Sequence, residues 1–424
     1  RDAWMTAADT TSAEMGYRVF LVGGAVRDAL LGREPLENDW VVVGGTPEQL
    51  LAKGYRQVGA DFPVFLHPET GEEYALARTE RKRGHGYHGF EVDFDPGVTL
   101  EEDLQRRDLT INAMARDDAG QLIDPCGGAQ DIERRVLRHV SPAFGEDPLR
   151  VLRVARFAAR FAGLGFRVHP DTLALMTGMT ASGELAHLAP ERVWAEIAGA
   201  MGEPTPSAFV NVLRECGALA ALLPEVDALF GIPQPARYHP EIDTGRHVLL
   251  TLDEAARRER GARVVYALLL HDLGKALTPR DEWPSHVRHE QRGVPLVRDI
   301  CDRLRAPTAW RELALRVTAL HLRCHRSLEM KPASILKLLE EGDFLRRPDE
   351  LEPFLHACEA DYRGRAGRQD RPYPQAQRLQ AALEAALAVR ARDLDTEGLD
   401  GPAIGARLRS ARIDAIAGTA GPAG

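Results

Sequence analysis

The segment RVFLVGGAVRDALL, residues 18–31, decides how the beginning of the chain folds. Its apolar start predicts a strand over residues 18–22, and the Gly23-Gly24 pair that ends this run predicts a turn into a short helix over residues 25–31. Such a turn can hold phosphate, because backbone N–H groups approach the oxygens where no Cβ intervenes and a helix N-terminus favours anions. Arg27, one turn into the helix, could reach the same phosphates. A glycine pair alone is equally typical of an ordinary tight turn.

The next predicted strand, residues 38–43, begins with two carboxylates. Glu37 and Asp39 are two residues apart, so the alternation of a strand places them on one face. Paired carboxylates repel each other unless a cation lies between them, which indicates a candidate Mg²⁺ site. Glu72 or Glu73, at the start of a further predicted strand, could supply a third carboxylate. The alternative is a solvated strand end.

Beyond Arg106 the pattern becomes helical, and two of its segments carry chemistry. RRDLTINAM (106–114) joins arginines and an aspartate to apolar residues, and could also be a capped helix start. In EDPLR (146–150) we expect Asp147 and Arg150 to share a helix face. Together they offer an acceptor beside a donor, which suits the base edges of cytosine and adenine but not those of uracil or guanine. The alternative is an ordinary salt bridge.

Composition limits the class of protein. The 424 residues allow two to four domains of about 100–200 residues each. There are 54 Lys and Arg against 63 Asp and Glu, and the net charge of -9 argues against nonspecific binding of polyanions by the whole surface. The five scattered cysteines contain no CxxC pair and indicate a cytoplasmic protein with reduced thiols. No apolar run approaches the roughly 18 residues of a membrane span, and no apolar signal core is present.

Histidines mark the second half of the chain. His271-Asp272 follows an apolar helix, His247 lies upstream, and Asp361 lies far downstream. A His-Asp pair with a distant His and Asp can hold one transition metal and leave positions open for water. Further histidines follow the pair along the chain: His286, His289, His321 and His325.

Arginines provide local basic surface that suits a phosphate backbone. They are Arg150, Arg153, Arg156, Arg160, Arg167, Arg363, Arg365 and Arg368. For the last three, a solvated helix face is the simpler interpretation.

Five motifs occur in order: LVGGAVRD (21–28), DWVVVG (39–44), EEYALARTE (72–80), RRDLTINAM (106–114) and EDPLRVLRVARFAAR (146–160). With these motifs and HDLGK (271–275), residues 15–417 resemble the bacterial CCA-adding enzymes. These are class II tRNA nucleotidyltransferases of the polymerase-β superfamily, here in the version with a C-terminal HD phosphohydrolase domain. The resemblance implies an α+β fold with a small nucleotidyltransferase head, a helical neck and a helical HD domain.

The expected division of the chain follows from this resemblance and from composition. We predict a disordered extension (1–14), the head (15–140), a helical neck that binds the nucleotide base and tRNA (141–238), the HD domain (239–365), a helical tail (366–417) and a frayed end (418–424). Residues 80–97, rich in glycine and charge, are predicted to be a mobile loop, which fits the family's flexible loop associated with the switch from C to A addition.

The resemblance also implies roles for single residues. In the head, Gly24 and Arg27 would hold the triphosphate, Glu37 and Asp39 would bind Mg²⁺, and Glu73 would be the third carboxylate. Nucleotide contacts would come from Arg107, Arg153 and Arg156, and base reading from Asp147 and Arg150. The HD ligands would be His247, His271, Asp272 and Asp361, with His289 and His321 able to replace or supplement Asp361. Glu37 departs from the family's usual Asp, and its extra methylene changes the metal spacing.

The implied chemistry is template-independent addition of CCA to the tRNA 3′ end from CTP and ATP. Two Mg²⁺ ions about 3.5–4 Å apart would activate the 3′-hydroxyl and stabilise the pyrophosphate leaving group. The HD domain would carry phosphatase, 2′-nucleotidase and 2′,3′-cyclic phosphodiesterase activities with Ni²⁺ or another divalent transition metal, or would serve only as a helical scaffold. A bacterial poly(A) polymerase and an RNA-binding scaffold with an inactive head are the alternatives. The sequence leaves open whether the protein is a monomer or a homodimer.

Overall fold

A computed structural model describes residues 16–35, 37–59, 64–82, 90–93, 96–239, 241–395 and 397–419, with the backbone alone for 79–82 and 90–93. The predicted extension over residues 1–14 and most of the predicted frayed end lie outside these ranges. The chain divides into two compact units. One comprises residues up to Ala189 with Glu215–Ala218, and the other comprises Pro190–Arg214 and the residues from Leu219 onward.

All the strands of the described residues lie in the first unit. They are β1 (Arg18–Val22), β2 (Asp39–Val43), β3 (Arg56–Val58), β4 (Val64–Leu66), β5 (Glu73–Leu76), β6 (Thr79–Lys82), β7 (Phe90–Asp93), β8 (Ala115–Arg116), β9 (Leu122–Ile123), β10 (Val136–Leu137) and β11 (Arg167–Val168). Seven of them form one mixed sheet in the order β3-β4-β5-β2-β1-β8-β9. The pair β2 and β5 is parallel, with Asp39 level with Glu73, whereas β1 runs antiparallel to β2 with Val22 opposite Asp39.

The valine-rich strands are apolar on both sides because both faces of the sheet are covered. On one face Phe20, Val22 and Val41 pack with the segment from Val98 to Ala115. On the other face Val42 packs with Leu50, Phe65 and Tyr74, among others. This double burial explains a strand that reads as a continuous apolar run rather than as an alternating one.

Eighteen α-helices lie within the described ranges. Those of the first unit are α1 (Gly24–Leu30), α2 (Pro47–Ala52), α3 (Leu100–Gln105), α4 (Gly128–Arg134), α5 (Leu149–Phe161) and α6 (Pro170–Ala181). The rest are α7 (Pro190–Met201), α8 (Pro206–Glu215), α9 (Ala218–Leu222), α10 (Pro224–Asp227), α11 (Thr244–Arg257), α12 (Ala262–Leu270), α13 (His289–Leu304), α14 (Thr308–His325), α15 (Pro332–Glu341), α16 (Leu351–Arg363), α17 (Pro374–Ala388) and α18 (Gly401–Ala417). None of the helices in the described part of the chain is long and apolar enough to cross a membrane.

The second unit is built around α12. Every residue from Val264 to Leu270 is buried, and the helix packs against α7, α11, α14 and α16. Tyr266 on α12 contacts Trp194 and Trp310 edge to face, with ring centroids 5.0 and 5.7 Å apart. A fully buried helix at the centre of a bundle fixes the residues at its end, and those residues are His271 and Asp272.

Two expectations about the elements are wrong. The predicted loop over 80–97 contains an antiparallel hairpin, in which Thr79 pairs with Asp93 and Lys82 with Phe90. The alternation of Phe90 and Val92 with acidic residues is the strand signal that the charge-rich composition concealed. The helical pattern of residues 207–222 also predicts one helix, but these residues form two, because Gly217 adopts a left-handed backbone with φ of 80°.

Candidate functional site

The Gly23-Gly24 turn brings the backbone against charged side chains. Gly23 has a φ of 68°, in the region that favours glycine. A Cβ on Gly23 would lie 3.0 Å from Nη1 of Arg107 and 4.0 Å from Oδ2 of Asp39. The turn therefore places the first turn of α1, an arginine and a carboxylate within one small region of the head.

The sheet register assembles the predicted carboxylates. Asp39 opens β2 and Glu73 opens β5, and because these strands are parallel and in register, both side chains project from the same face of the sheet. Desolvation and the nearby Glu37 raise the pKa of Asp39, against the opposing effect of Arg107 and Arg27. A divalent cation would offset the desolvation of the ionised Asp39 carboxylate, and carboxylate oxygens are ligands that suit Mg²⁺. The carboxylate oxygens of Glu37, Asp39 and Glu73 do not form a group in which all three residues lie within 4.8 Å of one another.

Glu72 and Glu73 have different neighbours in the structure. Its Oε1 accepts a hydrogen bond of 2.8 Å from Nδ2 of Asn38, and its Oε2 accepts one of 3.2 Å from Nε1 of Trp40. Adjacent residues of an extended strand point to opposite faces. Glu72 therefore supports the side chains at the start of β2, and Glu73 is the neighbour of Asp39.

Arg27 is buried and forms the first member of a polar network. Its Nη1 donates to Oδ1 of Asn112 at 2.6 Å, and its guanidinium carbon lies 5.1 Å from the ring centroid of Phe161. Nδ2 of Asn112 donates to Oδ1 of Asp108, and Nε of Arg153 donates to Oδ2 of Asp108 at 2.8 Å. Although burial opposes ionisation, Arg153 and the hydrogen bonds lower the pKa of Asp108 to about 2. The network joins the glycine turn to α5.

Arg107 lies beside the same turn. Its Nη2 is 3.2 Å from Oδ2 of Asp103, a fully buried carboxylate that also pairs with Arg106. This ion pair fixes the guanidinium next to Gly23 and Asp39. Arg107 is thus placed where a triphosphate held by the turn would meet it.

Asp147 and Arg150 do not share a helix face, and that expectation is wrong. The backbone of Asp147 is extended and α5 begins only at Leu149, because a residue before proline, here Pro148, is disfavoured in the helical region. Oδ1 of Asp147 accepts a hydrogen bond of 3.1 Å from the backbone N–H of Leu149. Nη2 of Arg150 donates to the backbone oxygen of Arg106 at 2.6 Å.

The second unit gathers the four residues of the predicted HD site. All four are buried. Nε2 of His247 lies 2.8 Å from Oδ1 of Asp361, and Nε2 of His271 lies 3.3 Å from Oδ2 of Asp272 and 3.6 Å from Oδ1 of Asp361. Helices α11, α12 and α16 thus bring together residues that are 114 positions apart in the chain.

His289 and His321 lie on the other side of Asp272. Their Nε2 atoms are 3.3 and 3.8 Å from Oδ1 of Asp272. Nδ1 of His271, of His289 and of His321 faces a backbone oxygen at 2.7, 3.0 and 2.9 Å. A backbone oxygen can only accept, so each Nδ1 carries a proton, and in the neutral imidazole Nε2 is the nitrogen that keeps a lone pair. This tautomer is the one in which Nε2 can bind a metal.

The charges and the unpaired atoms of this cluster fit a metal ion. Burial opposes protonation of His271, but Asp272 and Asp361 raise its pKa to about 10. The buried atoms without a hydrogen-bond partner include Nε2 of His271, Nε2 of His289 and Oδ1 of Asp272. They face one another across a cluster of nitrogen and oxygen donors, which suits a divalent transition metal better than Mg²⁺.

Comparison with known proteins establishes the relationship. The family described as poly A polymerase head domain matches residues 19–138, a probable RNA and SrmB-binding site of polymerase A matches 165–230, and an HD domain matches 244–357. A multifunctional CCA protein from Thioalkalivibrio sulfidiphilus is 61% identical over 399 residues, which cover 94% of this chain and 98% of that protein. One from Pseudomonas aeruginosa is 58% identical over the same length, covering 94% and 97%. The chain belongs to the multifunctional CCA protein family.

Solved structures agree with this assignment. The CCA-adding enzyme of Bacillus stearothermophilus in complex with CTP is 26% identical, with a TM-score of 0.65 and coverage of 96% of this chain and 90% of that one. The Thermotoga maritima CCA-adding enzyme complexed with tRNA is 20% identical, with a TM-score of 0.62 and coverage of 96% and 89%, which supports the fold. The expected family, the expected kind of enzyme and the α+β architecture of a head followed by an HD domain are confirmed.

Several residues of the two sites escaped the sequence analysis. Asp108 was interpreted only as a possible helix cap, and Asn112 drew no attention, although the two join Arg27 to Arg153. Glu241 was also missed: its Oε1 lies 2.9 Å from Nδ1 of His247. An Asn four residues after an Asp in an apolar segment is the one available signal for the first pair.

Two further groups belong to the HD cluster. Nζ of Lys275 lies 2.6 Å from Oδ2 of Asp272 and donates to Oε1 of Gln234 at 2.6 Å. Nε2 of His325 lies 2.7 Å from Oδ2 of Asp361. The HDLGK spacing contained the signal for Lys275, because residues three apart in a helical turn meet.

Proposed function

We propose that this chain builds and repairs the 3′-terminal CCA of tRNA from CTP and ATP in its first unit. The relatives that span nearly its whole length are named multifunctional CCA proteins, and one similar enzyme structure contains CTP. The observation that carries the proposal is the register of β2 and β5, which sets Asp39 beside Glu73 at the edge where the glycine turn lies.

The residues of the head have separate roles in this proposal. Glu37, Asp39 and Glu73 would hold Mg²⁺, and when bound the metal supplies activation of the 3′-hydroxyl and stabilisation of the leaving pyrophosphate. Backbone N–H groups at Gly24 and the guanidinium of Arg107 bind the triphosphate. Arg27 lies within the same region but is already bound to Asn112, so it fixes the glycine turn to α5.

Selection of the base is proposed for the start of α5. Asp147 and Arg150 present an acceptor and a donor to the base edge, and Arg153 and Arg156 contact the nucleotide from the same helix. Arg150, Arg153, Arg156 and Arg160 form a half-exposed row on a helix that is otherwise buried. Because protein groups do the selecting, the reaction needs no nucleic-acid template.

A CTP-incorporation assay on tRNA lacking CCA tests this activity. The parental chain is expected to add two C residues with CTP alone and a terminal A when ATP is added, as read by product sequencing. Asp39→Ala is expected to abolish addition. Long A tracts made from ATP alone would indicate a poly(A) polymerase instead, and no incorporation by the parental chain would indicate an inactive head.

For the second unit we propose a phosphohydrolase that uses a divalent transition metal, with 2′,3′-cyclic phosphodiester, 2′-phosphate and other phosphomonoester substrates. The donors would be His247, His271, Asp272 and Asp361, with His289 and His321 beside Asp272. The unpaired Nε2 atoms and the unpaired Asp272 oxygen support it. Hydrolysis of 2′,3′-cyclic AMP with Ni²⁺, Co²⁺, Mn²⁺ and Mg²⁺ in turn tests it, and inactivity with every metal would indicate a scaffold.

We also propose the domain limits given by the sequence, with the neck at 141–238 and the HD domain at 239–365.

The free state of all five cysteines supports a cytoplasmic location. Size-exclusion chromatography with light scattering distinguishes the monomer from the homodimer.

A further inference from the structure

Arg365 is a buried arginine without an acceptor for its charge. The simpler interpretation of the sequence put it on a solvated face, yet only 9% of the residue is exposed. Its Nε is buried without a hydrogen-bond partner, and no carboxylate of the described residues lies within 4.0 Å of its guanidinium. Burying an unpaired charge is costly. Nε of Arg365 therefore remains a buried donor without an acceptor.

Other buried arginines of the described chain are partnered. Arg27 donates to Asn112 and Asp28, and Arg316 donates to the backbone oxygen of Gly342 and to Glu350. Close to Arg365, Nη2 of Arg363 lies 3.0 Å from Oε1 of Glu359. Arg365 thus differs from arginines of equal burial and from its neighbour in the chain.

The backbone fixes Arg365 beside the metal cluster. It lies four residues after Asp361, just beyond α16. A Cβ on the preceding Gly364 would lie 2.7 Å from Cα of Thr251, which is one turn after His247 on α11. On the other side, the backbone N–H of Ala366 donates to Oε2 of Glu241 at 3.4 Å. The close approach allowed by Gly364 therefore holds Arg365 against the helix that carries a proposed ligand.

Side-chain contacts also connect Arg365 with the cluster. Its guanidinium carbon lies 5.6 Å from the ring centroid of Tyr362, and that of Arg368 lies 5.9 Å from the same centroid. The Tyr362 ring is 6.3 Å from that of His325, which contacts Asp361. The charge of Arg365 helps burial to lower the pKa of His325. Two cations therefore flank one ring at the edge of the cluster.

We propose that Arg365 binds the phosphate group of the ester hydrolysed at the HD cluster. A guanidinium offers donors in a planar fork that matches two phosphate oxygens, and a phosphate would supply the charge that the protein does not. Contact with the Tyr362 ring orients the Arg365 guanidinium, and Arg368 adds positive charge beside the same ring. This inference rests on the proposed phosphohydrolase, and it assigns the substrate phosphate to a residue outside the ligand set.

The test compares Arg365→Gln with Arg371→Gln in the metal-loaded full chain. Arg371 is exposed in the same segment, so its replacement removes an equal charge from the solvent side. For Arg365→Gln we expect the KM for 2′,3′-cyclic AMP and the Kd for inorganic phosphate to rise about 10- to 100-fold, the usual loss of a charge-assisted bond. For Arg365→Lys we expect KM and Kd values between those of Arg365→Gln and the parental chain. For Arg371→Gln we expect both values to stay within about twofold of the parental ones.

Two further measurements separate phosphate binding from a structural role. Metal content, measured by mass spectrometry, should be unchanged in Arg365→Gln. Its Tm without phosphate should be unchanged or higher, because the variant removes a buried unpaired charge. A fall in Tm together with metal loss would show that Arg365 supports the fold, and would overturn the inference.

The outcomes for substrate binding and for the proposed function are distinct. If the parental chain hydrolyses cyclic AMP and Arg365→Gln has the same KM and phosphate Kd, the inference is wrong and the phosphohydrolase stands. If the parental chain hydrolyses none of the esters but binds phosphate through Arg365, the function is wrong and the anion site stands. Absence of phosphate binding by the metal-loaded parental chain, measured by calorimetry, would overturn the anion site.

Discussion

Glu72 and Glu73 could not be told apart from the sequence alone, but the structure gives them different neighbours and therefore different expected roles. Glu73→Gln should lower the rate of CCA addition by at least about 100-fold, because it removes a proposed Mg²⁺ ligand beside Asp39. Glu72→Gln should keep the rate within a few-fold, since the Glu72 carboxylate accepts hydrogen bonds from Asn38, Trp40 and Thr70. Single-turnover addition of CTP to tRNA measures both. Equal losses in the two variants would contradict the assignment.

Asp108 gives a residue-scale prediction about stability. Its pKa of about 2 is below the ordinary value of 3.8, so the ionised form is stabilised on folding. The shift corresponds to about 2 kcal/mol. This contribution is complete above pH 4 or so and is lost as pH falls through about 2. Asp108→Asn should therefore reduce the free energy of unfolding by about 2 kcal/mol at pH 7, and by less as the pH approaches 3.

Urea unfolding of the first unit between pH 3 and 7 measures this effect. Glu133→Gln, an exposed carboxylate on α4, is the control and should leave the free energy of unfolding almost unchanged. A difference between Asp108→Asn and the parental chain that is independent of pH would show that the ion pair with Arg153 does not lower the pKa of Asp108.

At the scale of elements, the sequence predicted strands better than some helices. Strand β1 has the predicted limits, and β2 differs by one residue at its start, because valine-rich runs between turns are unambiguous. Helix α14 was not predicted, although it carries His321 and His325. Its apolar residues are spread around the helix because it is packed on several sides, so no single apolar face marked it.

The start of α5 provides a test that separates helix stability from base choice. Asp147→Ala should cost about 1 kcal/mol through loss of the bond to the Leu149 N–H. Asp147→Asn keeps an oxygen for that bond but adds an amide donor. It should therefore keep the parental stability and still lower the preference for CTP over UTP by about 1–3 kcal/mol.

Competition between CTP and UTP, and between ATP and GTP, measures that preference. A thermal melt of each variant reports on the helix start. If Asp147→Asn retains both the stability and the parental nucleotide ratios, Asp147 supports α5 without reading the base.

At the scale of the molecule, how much of each site could be predicted depends on how the site is assembled. In the head, the motifs lie on adjacent strands, so local pattern was enough to place Asp39 near the glycine turn. In the HD cluster, the motif predicted His271 and Asp272, but the residues from other helices and loops converge on them only through packing. Glu241 and His325 have no local signal that distinguishes them from surface residues. Arg365 was assigned to the surface for the same reason.

The two units have separate cores and separate proposed ligand sets, so the two activities should be separable. Asp272→Ala removes the carboxylate between His271 and His289 and should abolish both Ni²⁺ binding, measured by calorimetry, and hydrolysis of 2′,3′-cyclic AMP. CCA addition by the same variant should stay near the parental rate. Asp349→Ala, an exposed aspartate of the same unit, should leave metal binding and both activities unchanged. Retained hydrolysis in Asp272→Ala would refute the ligand assignment, whereas loss of both activities in a folded variant would show that the units are coupled.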